Sequence, residues 1–139
     1  MTNDQMTSYA ALLLRFGLGV MALAHGLLKV FVFTLPGTVS FFESLGYPGV
    51  FAYLVVAGEI LGGVALIAGI RVRLVAVLMI PILIGATLTH AGNGWLFSSP
   101  NGGWEYPAFW TVTLAVQALL GGGAWQLALP FLNGRTAKA

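Results

Sequence analysis

Five ionisable side chains lie inside long apolar stretches of this sequence or at their ends. They are Arg15, His25, Lys29, Glu59 and His90. A charge near the centre of a bilayer costs about 2.5–3.5 kcal/mol, so such groups usually face a bundle interior and have partners. Histidine exchanges protons near neutral pH, a carboxylate relays them, and Lys or Arg stabilises an oxyanion. We therefore predict His25, Glu59 and His90 as catalytic residues, with Arg15 and Lys29 as ligand-binding residues.

The composition places these groups in a membrane. The 139 residues are 58% hydrophobic and 7% charged, and mean hydropathy is +0.92, whereas an ordinary soluble domain is about one quarter charged. Six Lys/Arg against four Asp/Glu form no basic block, which argues against a nucleic-acid partner. The absence of cysteine excludes a dithiol, an Fe–S cluster and a disulfide. Redox chemistry would need a bound cofactor, a metal held by N and O ligands, or a partner.

Four apolar stretches are long enough to cross a hydrocarbon core, which takes about 17–25 helical residues. They cover residues 8–33, 50–70, 74–91 and 107–129. None alternates with the period of two that a membrane barrel requires. We therefore predict an all-α fold, a transmembrane four-helix bundle. Its parts are a short N-terminus (1–7), the transmembrane domain (8–130) and a C-terminal tail (131–139).

Positive residues predict the orientation of the bundle. Four of them lie on one side: Arg71, Arg73, Arg135 and Lys138. The opposite loops, 34–49 and 92–106, contain no Lys or Arg. By the positive-inside rule both termini face the cytoplasm, in a multi-pass membrane protein.

The two outer loops carry further signals. In the first, Phe41, Phe42 and Leu45 fall at helical spacing, which predicts a short amphipathic helix in the membrane interface between helices 1 and 2. The second is rich in aromatic residues, namely Trp95, Phe97, Trp104, Tyr106 and Trp110. These rings form an interfacial belt or line the mouth of a ligand pocket.

The depth of each polar group follows from a rise of about 1.5 Å per residue. Counted from residue 8, Arg15 lies about 10 Å deep, His25 about 25 Å and Lys29 about 31 Å. Glu59 lies about 16 Å from the inner end of its helix, and His90 lies at the outer end of the third. The three side chains of helix 1 share one face, so Arg15 or Lys29 can neutralise Glu59. The alternative is a charge network that only fixes helix register, or an Arg15 that reaches the inner interface.

The string N-G-G-W-E-Y-P at 101–107 is the last candidate element. Its two glycines permit a tight fold over the bundle mouth, and the proline suits the first turn of a helix. Glu105 either stabilises that helix N-terminus or forms the outer end of the polar path beneath Trp104. We include Asn101, Trp104 and Glu105 among the candidate ligand-binding residues.

At these positions the sequence resembles the DoxX/DoxD family of small four-helix membrane proteins. The matching elements are L-L-R at 13–15, H-G at 25–26 with Lys29, F-F-E-S-L-G at 41–46, E-I-L-G-G at 59–63, Arg71 with Arg73, His90 with N-G at 93–94, and the 101–107 string. The resemblance covers about residues 8–130. It implies a membrane oxidoreductase, since DoxD proteins are subunits of a thiosulfate:quinone oxidoreductase.

Three functions remain open from the sequence. The leading hypothesis is a redox component that handles a quinone or similar lipophilic carrier, working with another membrane or extracytoplasmic redox subunit. The second is a non-catalytic partner or assembly subunit with a structural polar core. The third is metal binding or transport by His25, Glu59, His90 and Glu105, although no two of them stand at adjacent ligand spacing. The lipid bilayer is a partner in each case, and a homo-oligomer is compatible with all three.

Overall fold

The computed structural model describes residues 1–127, and within that range all regular structure is helical. The helices are α1 (Asn3–Phe31), α2 (Leu35–Ser44), α3 (Val50–Ala68), α4 (Val72–His90) and α5 (Glu105–Leu120), with a short 3-10 turn at Ala91–Asn93. Three of these segments are long and apolar enough to cross a membrane: α1, α3, and α4 together with the turn that follows it. The predicted tail, 131–139, lies outside the described residues.

The fourth predicted span is shorter than the sequence indicated. We predicted 107–129, whereas α5 has 16 residues and ends at Leu120, a length of about 24 Å. The helix ends because Gly121 and Gly123 adopt left-handed backbone angles, with φ of +82° and +68°. Such angles suit glycine and interrupt a right-handed helix.

Glycines allow α1 and α3 to touch backbone to backbone. A Cβ atom at Gly63 would lie 2.6 Å from the Leu23 amide nitrogen, and one at Gly19 would lie 2.8 Å from the Gly63 carbonyl oxygen. Close approach through small residues is the usual basis of helix packing in lipid. The second half of the molecule is α4 packed on α5, and a buried cluster that includes Leu18, Leu66, Met79, Trp110 and Leu114 joins the two halves.

A short helix lies between α1 and α3, at the position that the sequence predicted. The Thr34 hydroxyl accepts a hydrogen bond from the Gly37 amide and caps the start of α2. The buried Thr38 hydroxyl donates to the Lys29 carbonyl oxygen over 3.1 Å, which fixes α2 to the end of α1. The placement of this helix in the membrane interface stays a prediction.

The carboxyl end of α3 lies further along α1, towards Lys29, than we expected. The depth estimate aligned residue 70 with residue 8, but the last turn of α3 lies beside Arg15, which donates to the carbonyl oxygens of Leu66 and Ile67. The segment after α5 packs between the first turns of α1 and the end of α3. Its Ala124 amide donates to the Ser8 carbonyl, and its Leu127 amide donates to the Ala68 carbonyl. Because of this offset, Glu59 lies beside the part of α1 that carries Lys29.

Candidate functional site

Lys29 and Glu59 form an ion pair between α1 and α3. The Lys29 Nζ lies 2.8 Å from each carboxylate oxygen of Glu59, and the two side chains are 21% and 7% exposed. Gly26 permits this approach, because a Cβ there would lie 3.2 Å from the Glu59 Cβ. The prediction that Glu59 faces the first helix is confirmed. Its partner is Lys29, whereas the sequence also allowed Arg15.

His25 lies one turn before Lys29 and contacts a different helix. Its ring centre is 5.0 Å from that of Trp110 and 6.1 Å from that of Tyr106, both on α5. Its Nδ1 lies 2.8 Å from the Met21 carbonyl oxygen. A carbonyl only accepts, so we assign the Nδ1 proton to this bond, and Nε2 of the neutral ring is an acceptor. The polar face of α1 thus serves two neighbours, α3 and α5.

An apolar cleft of about 210 Å³ opens beside this aromatic cluster, between α1 and α5. Its lining residues are Leu13, Leu14, Gly17, Leu18, Met21, Tyr106, Phe109, Trp110 and Thr113. Leu13 and Phe109 are exposed on the outer surface of the bundle, which in a membrane faces lipid. Trp110 is buried, and its indole N–H has no acceptor among the described residues. The cleft therefore has apolar walls, and one of its lining residues, Trp110, carries a buried N–H with no acceptor among the described residues.

His90 is the last residue of α4 and packs against the loop between α4 and α5. Its Nδ1 lies 2.8 Å from the Ala86 carbonyl oxygen. Its ring packs on Gly102, where a Cβ would approach the His90 Cδ2 to 3.4 Å. The Asn93 amide donates to the carbonyl oxygens of Asn101 and Gly102 over 3.1 and 2.9 Å. The described contacts of His90 are thus with α4 and this loop, those of Asn101 are with the loop, and none of them reaches the Lys29–Glu59 pair.

Glu105 and Trp104 close the same loop. The Glu105 Oε1 accepts a hydrogen bond of 2.9 Å from the Phe97 amide. The Trp104 ring stands edge-on to Trp95 with 4.5 Å between ring centres, and the Trp104 amide donates to the Gly94 carbonyl. Within residues 1–127 the Glu105 carboxylate makes no hydrogen bond or ion pair with either histidine. These contacts favour a role in holding the loop.

We expect Glu105→Ala to lower the midpoint of thermal unfolding by a few degrees, because the Phe97 amide loses its acceptor. A hydrogen bond of this kind contributes about 0.5–1.5 kcal/mol, or more with a charged acceptor. Glu105→Gln keeps an acceptor oxygen and should lose less. Ligand binding or turnover should be unchanged in both variants. A loss of binding in Glu105→Gln at unchanged stability would instead place this carboxylate in the site.

Arg15 lies near the middle of α1, about four turns before Lys29, and 1% of its surface is exposed. Its guanidinium donates to five carbonyl oxygens over 2.7–2.9 Å, those of Leu66, Ile67, Gly122, Ala124 and Trp125. The side chain is enclosed by protein, whereas one of the alternatives from the sequence had it reach the membrane interface. Its contacts join the end of α3 to the segment after α5, so within residues 1–127 it contacts neither Glu59 nor His25.

Gln117 is a buried polar residue that our sequence analysis did not select. It has no exposed surface, and its Nε2 donates to the Ala11 carbonyl over 3.2 Å and to the Gly121 carbonyl over 2.7 Å. A lone glutamine in the apolar run of α5 was the available signal. The carboxyl end of α5 is thereby fixed to α1.

The third hypothesis needs clustered metal ligands. Within residues 1–127, no three His, Asp or Glu side chains lie close enough together to hold a metal ion. Glu59 pairs with Lys29, whereas His25 and His90 face different helices and loops. The described geometry gives this hypothesis no support.

The sequence profile of DoxX matches residues 10–92, more than half of the chain. This chain belongs to the DoxX family. Over 78 residues it is 42% identical to a Bacillus subtilis (strain 168) protein named "Putative oxidoreductase CatD". The match covers 56% of this chain and 57% of that relative. No solved structure matches the chain significantly.

Family membership and the three apolar helices make this DoxX protein a multi-pass integral membrane protein. The profile match contains all five ionisable residues of the apolar stretches, namely Arg15, His25, Lys29, Glu59 and His90. It ends before α5, so Tyr106 and Trp110 lie beyond it. The family match therefore gives no information about the α5 wall of the cleft, which is known here from the structure of this chain alone.

Proposed function

We propose that this DoxX protein is a membrane oxidoreductase component that binds a quinone, or a similar lipophilic redox ligand, in the α1–α5 cleft. The observation that carries the proposal is an apolar cleft beside His25 that is lined in part by Trp110. The indole N–H of Trp110 is buried and has no acceptor among the described residues, and a buried donor without a partner costs about 1–3 kcal/mol. A ligand carbonyl recovers that cost if the Trp110 ring turns this N–H towards the cleft. The family and the named relative support an oxidoreductase role.

The residues present fit a quinone. Its ring is flat and apolar with carbonyl acceptors, so it suits aromatic walls and one buried donor. A cleft of about 210 Å³ suits a single ring, with the tail passing Leu13 and Phe109 into lipid. When bound, a quinone supplies the capacity to take up electrons together with protons. The candidate site thereby gains Trp110 and Tyr106, which the sequence analysis described as an interfacial belt or the mouth of a ligand pocket but did not include among the ligand-binding residues.

In this proposal the protein binds, orients and supplies protons. Trp110 orients a ligand oxygen by its N–H, and the walls of the cleft exclude water. His25 holds a proton at Nε2 when charged and presents a lone pair there when neutral, while the Met21 carbonyl fixes the ring at Nδ1. The Lys29–Glu59 pair, one turn further along α1, provides a titratable carboxylate on the same face. In this proposal a partner redox subunit or the substrate supplies the electrons, since the sequence has no cysteine to form a redox-active dithiol.

The test is quinone binding by lipid-depleted protein in detergent, measured by solvent extraction of bound quinone and by equilibrium titration. Trp110→Phe keeps an aromatic ring but removes the donor, so we expect affinity to fall about tenfold. His25→Gln should reduce quinone turnover with a donor more than binding. Trp125→Phe is the matched control, since its ring is 79% exposed and contacts Tyr9, away from the cleft. Equal affinity of the two tryptophan variants, or no binding by the wild type, would contradict the proposal.

The second candidate is a non-catalytic subunit that docks another protein through the α4–α5 loop. Trp95 and Phe97 are 55% and 69% exposed there, although hydrogen bonds hold the loop closed. Exposed aromatic residues on an ordered loop are typical of interfaces. Absence of quinone binding, with loss of a co-purified protein in Phe97→Ser, would favour this function.

A further inference from the structure

A second, open pocket of about 320 Å³ lies at the end of the bundle that carries the α3–α4 turn. Its lining residues are Arg71, Val72, Arg73, Leu74, Gly122 and Gln126. The proposed function does not use it, because the quinone cleft lies between α1 and α5. The pocket is formed by the first turn of α4 and the segment that follows α5.

The backbone at this end positions two guanidinium groups. Arg71 adopts a left-handed conformation with φ of +41°, which is uncommon for a residue with a side chain. Arg73 lies against Gly121, where a Cβ would come within 3.1 Å of both its Nε and Nη2 atoms. The missing side chain of Gly121 thus makes room for the Arg73 guanidinium at the pocket.

Neither arginine is neutralised by a carboxylate side chain. All four Asp and Glu residues of the sequence fall within the described range. The one ion pair found among residues 1–127 is Lys29–Glu59. Arg71 and Arg73 are both exposed, so two formal positive charges remain at one pocket. Guanidinium groups bind phosphate oxygens in a forked geometry.

The surroundings favour a lipid over a soluble anion. Leu74, next to Arg73, is 48% exposed and gives the pocket an apolar side. The neighbouring helix α5 spans about 24 Å, less than the hydrocarbon thickness of about 30 Å. Local thinning of the bilayer is one way in which a membrane accommodates a short helix, and thinning at α5 would bring headgroups towards its carboxyl end and this pocket.

We propose that the Arg71–Arg73 pocket binds the phosphate of an anionic phospholipid, with an acyl chain against Leu74. The two guanidinium groups contact the phosphate oxygens, and the apolar side of the pocket contacts the chain. A basic residue at a membrane surface attracts anionic lipid by roughly a fivefold factor in affinity. Two such residues in one pocket should give a site on the order of tenfold or more tighter than the rest of the surface.

Native mass spectrometry of lipid-depleted protein titrated with phosphatidylglycerol tests the site. We expect one tightly bound phosphatidylglycerol per chain, and affinity reduced about tenfold or more in Arg71→Gln/Arg73→Gln. The matched control is Arg135→Gln/Lys138→Gln, which removes the same charge from the tail. Thermal unfolding without lipid shows whether each variant folds. Arg71→Lys/Arg73→Lys keeps the charge without the fork and should bind at intermediate affinity.

Three outcomes would overturn the proposal. Equal loss of phosphatidylglycerol in the pocket variant and the tail variant would show attraction by net charge alone. Equal binding of phosphatidylcholine would show that the arginines do not select anionic lipid. Displacement of the lipid by inorganic phosphate at similar affinity would identify a soluble anion as the ligand. Quinone binding is measured separately and fails independently, because Trp110 lies outside this pocket.

Discussion

Arg15→Leu is expected to lower the free energy of unfolding by about 5 kcal/mol. The guanidinium donates to five carbonyl oxygens from two separate segments, and only 1% of the Arg15 surface is exposed. Each buried acceptor left without a donor costs about 1–3 kcal/mol, and water entering the gap would recover part of that. The measurement is reversible unfolding in mixed micelles, followed by circular dichroism.

Two further variants separate the effect of the guanidinium hydrogen bonds from that of the positive charge and from that of any substitution in the same helix. Arg15→Lys keeps the positive charge, but one ammonium with three donors cannot replace a fork that reaches both segments. We expect it to lose about half as much stability. Leu13→Ala is the control, because its side chain is 72% exposed on the same helix. If Arg15→Leu unfolds like this control, the five hydrogen bonds do not stabilise the fold.

The choice between Arg15 and Lys29 as the partner of Glu59 shows where the sequence stops being informative. The depth estimate placed Glu59 between the two, because it aligned the inner ends of the first two spans. Their actual offset depends on the segment from Gly121 to Leu127, which contacts Ser8 and Ala68. The sequence treated that segment as part of a fourth span. A contact between residues more than 100 positions apart leaves no periodic pattern to read.

The same limit applies to His25. Its spacing from Lys29 correctly predicted one polar face on α1, and this face does carry the ion pair with α3. The rings that contact His25 come from α5. Tyr106 and Trp110 are four residues apart, so a shared helical face was predictable. The unpaired N–H of Trp110 was not predictable, because it depends on which groups of other helices pack around the ring.

Helix existence was the most predictable level. The apolar stretches located α1, α3 and α4, since about 20 apolar residues have few alternatives to a helix in lipid. The predicted end of the fourth span, residue 129, was wrong, because α5 ends at Leu120, just before three consecutive glycines. Composition marks that run as apolar, although its backbone angles are those of a turn.

Lys29→Met is expected to destabilise the protein by about 3 kcal/mol, more than the apolar pair Lys29→Met/Glu59→Leu. The single variant leaves a 7% exposed carboxylate without its cation, whereas the double variant removes both charges together. Removing one member of a buried pair costs several kcal/mol, while replacing both by apolar residues is often neutral. The double variant should therefore recover most of the loss. The wild type, Lys29→Met, Glu59→Leu and the double variant form a double-mutant cycle, measured by unfolding in mixed micelles.

Glu59→Gln separates the structural part of this pair from a role in proton transfer. The amide oxygen still accepts a hydrogen bond from Lys29, so folding should be better preserved than in Glu59→Leu. The amide has no proton to exchange near neutral pH, so quinone-linked turnover should fall about 100-fold or more if this carboxylate relays protons. Full turnover in Glu59→Gln would leave the pair a purely structural contact between α1 and α3. Because the same variant is measured for stability and turnover, a folding defect cannot be mistaken for a lost proton path.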